Sequence, residues 1–403
     1  MYLKKKRDGS CKARGVADGR VQREYITKEE LSSPTVSTYT LFAVLLICAI
    51  ERRCVAVCDI PAAFLNGIWP EDKESYIRFE GIMVDMLVKI NPEYKNCVKS
   101  YQSGRKIMFG RLKKAIYGTL LGAVIFYNTL RTFLESIDFV VNPYDECTFN
   151  KIVNGKQCTV QFHVDDLMIS HVEMDVVKDV IDLLNQRFGT IKPLSASYGN
   201  IHEYLGMQID LSKDQEVKIT MHQYLEDILS EMPSDMDGLS PWPADKDIFV
   251  VDENSDLLNT EQADFFHQTT ARLLYASKRA RPDLQTSVAF LCKRVKSPTK
   301  SDYKKLTRVI KYLRDLIALP LIIGWNNSGS LIWSIDAAFA VHMDMKSHTG
   351  YSITMGKGAF ISGSSTQGLV AKSSTEAELY GVYDAMPLVS WARLFWRHKW
   401  LEY

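Results

Sequence analysis

The stretch Gln161-Phe162-His163-Val164-Asp165-Asp166-Leu167-Met168-Ile169-Ser170 sets two adjacent carboxylates between two apolar arms. That pattern reads as the tip of a β-hairpin whose arms are buried. Neighbouring carboxylates repel, and holding them together without a counter-ion is costly. A hard divalent cation such as Mg²⁺, which takes carboxylate oxygens, is the usual compensation. Just upstream, residues 146–153 and 157–163 read as strands joined at Asn154-Gly155, a strong hairpin signal, so the second strand runs directly into Asp165-Asp166. Downstream, Val177, Val180, Ile181, Leu184 and Phe188 form a helical stripe closed by Gly189 at the C′ position.

Further upstream, Val55-Ala56-Val57-Cys58-Asp59 is a short apolar run ending in a carboxylate, as in a buried strand with a functional C-terminal end. Residues 36–50 suit a buried helix. Leu120, Ala123, Tyr127, Leu130 and Leu134 recur at helical spacing and predict a helix within 111–136. Residues 3–20 read as a basic hairpin turning at Asp8-Gly9. The alternation is that of an α+β fold, with Asp59 and Asp165-Asp166 on the ends of strands that could be neighbours in one sheet.

After residue 190 the character changes. Tyr204–Ile209 and Val217–Thr220 suggest another hairpin. Residues 226–264 are acidic, hold Pro233, Pro241 and Pro243, and read as a long loop or linker. Residues 265–318 read as helical and basic; residues 261–315 hold thirteen Lys/Arg against five Asp/Glu. The bases cluster, as in Lys293-Arg294-Lys296, which suits contact with a phosphate backbone; a solvated helix face is the alternative. From about residue 329 a third unit begins, with strands at Leu331–Asp336, Tyr351–Thr354 and Ala359–Ile361 and a helix over 374–396.

The 403 residues suggest two or three domains, and 46% apolar with 24% charged residues is ordinary for a globular protein. A net charge of +1 means that a nucleic-acid partner must be met by local basic surface. Eight cysteines without a CxxC pair read as reduced core thiols, not as a disulfide framework or zinc site. The apolar run Leu41–Ile50 is too short to span a bilayer, and no secretory signal is visible, so an intracellular, cytoplasmic or nuclear location without membrane contact is expected. Tyr2-Leu3-Lys4 reads like the middle of a strand, so a fragment is expected.

Three carboxylates on one sheet, two adjacent and one from a separate strand, are what two-metal phosphoryl transfer requires. A series of motifs in order carries a specific resemblance. They are Lys12–Ala17, Ser33–Val36, Asp59-Ile60-Pro61-Ala62-Ala63-Phe64-Leu65-Asn66-Gly67, Leu112–Gly118, His163-Val164-Asp165-Asp166, Tyr204-Leu205-Gly206-Met207, Lys278–Asp283 and Lys372–Leu379. With them the chain resembles the reverse transcriptase of copia-type retrotransposons, followed by the start of its ribonuclease H domain.

The resemblance implies an RNA-directed DNA polymerase of right-hand architecture. Fingers and palm would occupy 1–190, thumb and connection with the acidic linker 191–328, and a truncated ribonuclease H-like α/β unit 329–403. It implies Asp59, Asp165 and Asp166 as catalytic ligands of two Mg²⁺ ions, with Mn²⁺ as an alternative. Phe64 would close under the sugar and exclude a 2′-hydroxyl. Arg14 and Lys6 would reach the incoming triphosphate, and Leu205, Gly206 and Met207 would grip the primer end. The implied partners are an RNA template, a DNA primer, their hybrid and deoxynucleoside triphosphates.

Two departures stand out. His163 replaces the family's Tyr or Phe, and Leu120-Leu121-Gly122-Ala123-Val124 replaces Lys-Gln-Ala-Pro-Arg after Tyr117-Gly118. A decayed or domesticated copy that binds nucleic acid without polymerising is therefore the alternative reading. In the third unit Asp336 and Glu378 would be a ribonuclease H remnant. Ser373 with Glu376, or Thr375 with Glu378, fits a helix capping box. Ribonuclease H activity is expected to be absent, because the family's further acidic residues lie beyond Tyr403, and the missing strands should leave a sheet edge exposed.

Overall fold

The computed structural model describes residues 2–5, 11–24, 26–27, 32–101 and 104–401. At its centre is a six-stranded antiparallel sheet. Its order is Ser195–Gly199, Cys54–Asp59, Asp166–His171, Lys156–His163, Asp145–Val153 and Val140–Asn142. The sheet therefore continues past residue 190. Asn154 and Gly155, at φ +52° and +70°, make the tight turn that joins two of its strands.

The helix Thr38–Glu51, which precedes the Asp59 strand of this sheet, is buried on all sides from Leu41 to Ala49. A helix apolar all round belongs in a core. Ser37 caps its start, accepting a hydrogen bond from Thr40 N–H at 3.0 Å, and Arg52 ends it in a left-handed conformation. The helix Met174–Phe188 covers the same sheet with the stripe Val177, Val180, Ile181, Leu184 and Phe188. Gly189 follows it at φ −84°, so its freedom to turn left-handed is not used.

The helix expected within 111–136 begins only at Leu120 and ends at Ser136. Residues Lys106–Arg111 are instead a strand between Tyr76–Glu80 and Lys99–Ser100. The basic hairpin is present as Tyr2–Lys5 paired with Cys11–Arg14; its expected turn at Asp8-Gly9 lies outside the described residues.

A second sheet runs Ile201–Tyr204, Met207–Asp210, Glu216–Thr220, Leu321–Trp325 and Gly356–Lys357. Helices Thr260–Ser277, Gln285–Arg294 and Lys300–Asp315 pack on one another. The stretch 226–264 is no detached linker. It starts inside the helix His222–Leu229, ends inside Thr260–Ser277, and is pinned between them by charge. Glu231 pairs with Arg272 at 2.6 Å, Asp237 with Arg314 at 3.2 Å, Asp245 with Arg308 at 2.9 Å and Asp256 with Lys300 at 2.8 Å. Lys305 donates to the Ile248 carbonyl at 2.8 Å. The acidic stretch is thus a counter-charge to the basic helices.

The last unit is a three-stranded sheet, Ile332–Ala338, His348–Thr354 and Ile361–Thr366, with the helix Ser374–Leu401 against it. Among the described residues Ile332–Ala338 has a strand neighbour on one side only. The helix reaches back to the central sheet. Trp391 Nε1 donates to the Tyr144 carbonyl at 3.2 Å, and Lys399 pairs with Glu51 at 2.9 Å. Among the described residues no helix is long and apolar enough to cross a membrane.

Candidate active site

Asp59 is the last residue of its strand, and Asp166 the first of the strand beside it. Their antiparallel register places the two opposite each other, so both side chains project from one face. Asp165 occupies the two-residue turn Val164-Asp165, closed by the His163–Asp166 pair. Its carbonyl accepts the Ile60 N–H at 3.1 Å, which ties the hairpin tip to the end of the Asp59 strand. Val164 sits at φ +62°, a strained conformation for a β-branched residue, and the tight reversal that presents Asp165 depends on it. The fold thus sets Asp59 and Asp166 opposite each other on neighbouring strands, with Asp165 in the adjoining turn.

The corner is strongly negative. Burial, then the charges of Asp165 and Asp59, push the Asp166 carboxyl above the usual carboxylate range, with His163 pulling the other way. Directly beneath, burial and the charges of Asp59 and Asp166 push the Cys58 thiol up to about 12. Among the described residues no group of three or more His, Cys, Asp and Glu side chains is placed so that it could hold a metal ion. Carboxylates are the ligand type that Mg²⁺ takes, one or two of them together with waters and substrate phosphates.

Three tyrosines to which the sequence reading gave no individual role organise the surroundings. Tyr117 donates its phenol to Asp165 Oδ2 at 3.3 Å and stacks on Phe64, ring centroids 4.4 Å apart. Phe64, which follows the left-handed Ala62, is only 7% exposed. The Tyr117 ring covers it, so Phe64 is not itself the surface beside Asp165.

Tyr204, fully buried, donates to the Asp166 carbonyl at 3.3 Å. Tyr275, from the helix Thr260–Ser277, donates to the Leu205 carbonyl at 2.9 Å and carries Arg279 over its ring. The Leu205-Gly206 turn, at φ +50° and +75°, is thereby fixed to the aspartate hairpin on one side and to the helices on the other. Met207 is fully buried and supports this turn from below; strand alternation turns it inward, so a primer end cannot reach it.

Arg14 lies opposite Tyr2 at the end of the first hairpin, and Lys6 lies outside the described residues. The divergent segment after Gly118 packs as a helix start. Leu120 N–H donates to Gln22 Oε1 at 2.7 Å, and Gly122 lies close to Phe64. Of the basic residues in 261–315, Arg272, Arg281, Arg294, Lys300, Arg308 and Arg314 are held in ion pairs, so the expected basic face is partly neutralised from within.

The second acidic corner is thinner. Asp336 lies on the edge strand Ile332–Ala338, and Glu378 accepts the N–H of the next residue, Ala337, at 3.4 Å. Ser373 caps the helix through Glu376 N–H at 3.2 Å, and Glu376 accepts the Lys372 N–H at 2.5 Å, which favours the Ser373–Glu376 pair as the cap.

The family described as "Reverse transcriptase (RNA-dependent DNA polymerase)" matches residues 1–238. Similar curated proteins include the "Retrovirus-related Pol polyprotein from transposon TNT 1-94" of Nicotiana tabacum, 25% identical over 98% of this chain and 29% of its own length. The "Transposon Ty1-NL2 Gag-Pol polyprotein" of Saccharomyces cerevisiae is 24% identical over 97% of this chain and 22% of its own. The "Retrovirus-related Pol polyprotein from transposon RE2" of Arabidopsis thaliana is 26% identical over 95% and 25%. The chain thus spans about a quarter of the length of these relatives. Among solved structures, a foamy viral protease-reverse transcriptase in complex with double-stranded DNA shares the fold, with a TM-score of 0.50 at 11% identity over 97% of this chain and 55% of that one.

Proposed function

Since the chain belongs to the reverse transcriptase (RNA-dependent DNA polymerase) family of copia-type retrotransposons, we propose that it extends a DNA primer on an RNA template. The reaction is attack of the primer 3′-hydroxyl on the α-phosphate of a deoxynucleoside triphosphate, with pyrophosphate leaving. The observation that carries this reading is the register that sets Asp166 opposite Asp59, with Asp165 tied to Ile60 in the adjoining turn.

Asp59, Asp165 and Asp166 would hold Mg²⁺, which when bound lowers the pKa of the attacking hydroxyl and neutralises phosphate charge. The hairpin turn Leu205-Gly206, held to the Asp166 backbone through Tyr204, would grip the primer end. Lys296, in the turn after the helix Gln285–Arg294, and Lys304 and Lys311 of the helix Lys300–Asp315, which form no ion pair among the described residues, would meet the backbone of the hybrid. The related viral enzyme's complex with double-stranded DNA supports nucleic acid as the partner.

The test is extension of oligo(dT) on poly(A) with Mg²⁺ and thymidine triphosphate, with Asp165→Ala as control. Extension lost in the variant supports the reading. Salt-sensitive binding of the hybrid without extension by the wild-type chain favours a binder that does not polymerise, a reading motivated by the loss of basic residues at 120–124.

A further inference from the structure

We propose that His342 and His348 form a proton-sensitive latch, holding the C-terminal sheet on the helix Gln285–Arg294 while both rings are neutral and releasing it as they take up protons. His342 lies in the loop after the strand Ile332–Ala338, and His348 opens the next strand. Both are buried. His342 Nε2 and His348 Nδ1 share a hydrogen bond of 3.1 Å. His348 Nε2 meets Ser364 Oγ at 2.7 Å, and His342 Nε2 meets Thr366 Oγ1 at 3.0 Å. The same two hydroxyls join the helix. Thr286 Oγ1 lies 3.1 Å from Ser364 Oγ, and Lys293 donates to Thr366 Oγ1 at 3.3 Å. Gln285 donates to Ser362 Oγ at 3.0 Å. Ser362, Ser364 and Thr366 alternate along the strand Ile361–Thr366, so one strand face carries the junction and the histidines with it.

The pair is poorly placed to carry charge. A hydrogen bond between two ring nitrogens holds one proton, so with both rings charged two N–H groups face each other. The Phe249 ring of the acidic stretch packs on both, with centroids 4.9 Å and 4.7 Å away. The charged groups acting on the rings are Lys293 of the helix and Asp344 and Lys346 of the loop. Arg294, which lines a cavity of about 190 Å³ beside His342, is paired with Asp302. The strand Ile361–Thr366 supplies hydroxyls. Among the described residues no carboxylate is hydrogen-bonded to either ring. Burial, then the charges of His342 and Lys293, brings the His348 pKa down to about 4. Burial and Lys293 lower that of His342, with Asp344 opposing them.

The direction follows from which form the docked sheet accepts. Once released, the rings titrate near the ordinary histidine value of about 6.5. The docked sheet disfavours the protonated form, so docking is at full strength above that value and weakens as pH falls towards 4. From His348 alone the docking equilibrium should drop about tenfold between pH 7.5 and 5.5. The latch thereby governs whether the strand bearing Asp336 stays fixed to the basic helices.

The experiment is hydrogen exchange of the full chain, read by mass spectrometry between about pH 7.5 and 5.5 and corrected for the intrinsic rate. Wild type is compared with a variant carrying both His342→Gln and His348→Gln, which keeps hydrogen-bonding side chains that cannot titrate. Protection of the strand Ile361–Thr366 should fall about tenfold in the wild type, while the helix Met174–Phe188 keeps its protection. The double variant should show no such fall. NMR of ¹³C-labelled histidine follows the ring titrations of the wild type and needs no variant, so the test survives a double variant that does not dock. His348 should stay neutral below the ordinary histidine range for as long as the strand is protected. Unchanged wild-type protection, a fall shared equally by Met174–Phe188, a fall as steep in the double variant, or a His348 ring that titrates near 6.5 with the strand still protected would each overturn the proposal.

Discussion

Two carboxylate corners stand in this chain, one at the centre of its largest sheet and one near its C-terminal end. The central corner has neighbours on both sides. Cys54–Asp59 is hydrogen-bonded to Asp166–His171 on one edge and to Ser195–Gly199 on the other, so Asp59 is fixed by two registers. The corner at Asp336 lies on a strand paired on one side only, and Glu378 is already engaged by the Ala337 N–H. Carboxylates can be crowded against their own repulsion where a buried sheet overdetermines them. The difference is one of framework more than of acid chemistry.

The largest expected effect breaks or keeps that contrast directly. Asp59→Asn and Asp165→Ala should each reduce primer extension about a thousandfold or more, the scale of a lost metal-binding group. Asp336→Asn should leave extension at the wild-type rate. A comparable loss from Asp336→Asn would show that the two corners act together.

Next is the brace between the two units. Arg53 is buried, paired with Glu51 at 2.7 Å and donating to Thr159, Gln157 and Ser170; Glu51 also pairs with Lys399 of the last helix. Removing one member of a buried pair leaves an uncompensated charge. Glu51→Ala should therefore cost about 3 kcal/mol in urea unfolding. A change near zero would mean that the last helix is not anchored through this network.

The raised Asp166 pKa makes the third prediction, and its sign is fixed. In the folded chain Asp166 holds its proton to higher pH than in the unfolded chain, because of burial and the charges of Asp165 and Asp59. It therefore destabilises the metal-free fold once pH exceeds the ordinary carboxylate range. Asp166→Asn should raise the thermal midpoint of the metal-free protein at neutral pH while removing extension. Wild-type extension should fall as pH drops through the raised pKa. A lowered midpoint in Asp166→Asn would show that the carboxylate is stabilised by contacts this account omits.

The smallest effect concerns the acidic stretch. Asp245→Asn and Asp237→Asn release Arg308 and Arg314 from their ion pairs. Hybrid binding should tighten modestly, and its dependence on log salt should steepen by about one for each base released. An unchanged slope would place those arginines away from the nucleic-acid path.

Much of the central corner was legible in the sequence, because its signals are local. Asn154-Gly155 specifies a turn, and apolar arms around Asp165-Asp166 specify buried strands. The contributions of Tyr117, Tyr204 and Tyr275 were not legible. Each acts across a long separation in sequence, and a tyrosine in an apolar run reads as core until its partner is known. The late start of the helix at Leu120 has the same cause, since the residue that satisfies its first free N–H is the distant Gln22. The acidic stretch 226–264 carried a usable signal that was read singly. Its charges complement those of the helices that follow it, and the pairing of the two could have been anticipated.

The most direct test of the central claim is single-turnover addition of one deoxynucleotide to a DNA primer annealed to RNA, measured against Mg²⁺ concentration for the wild-type chain and Asp59→Asn. The account predicts Mg²⁺-dependent addition by the wild type and its loss in the variant, with hybrid binding preserved in both. Addition by Asp59→Asn at the wild-type rate and with the same Mg²⁺ dependence would contradict it.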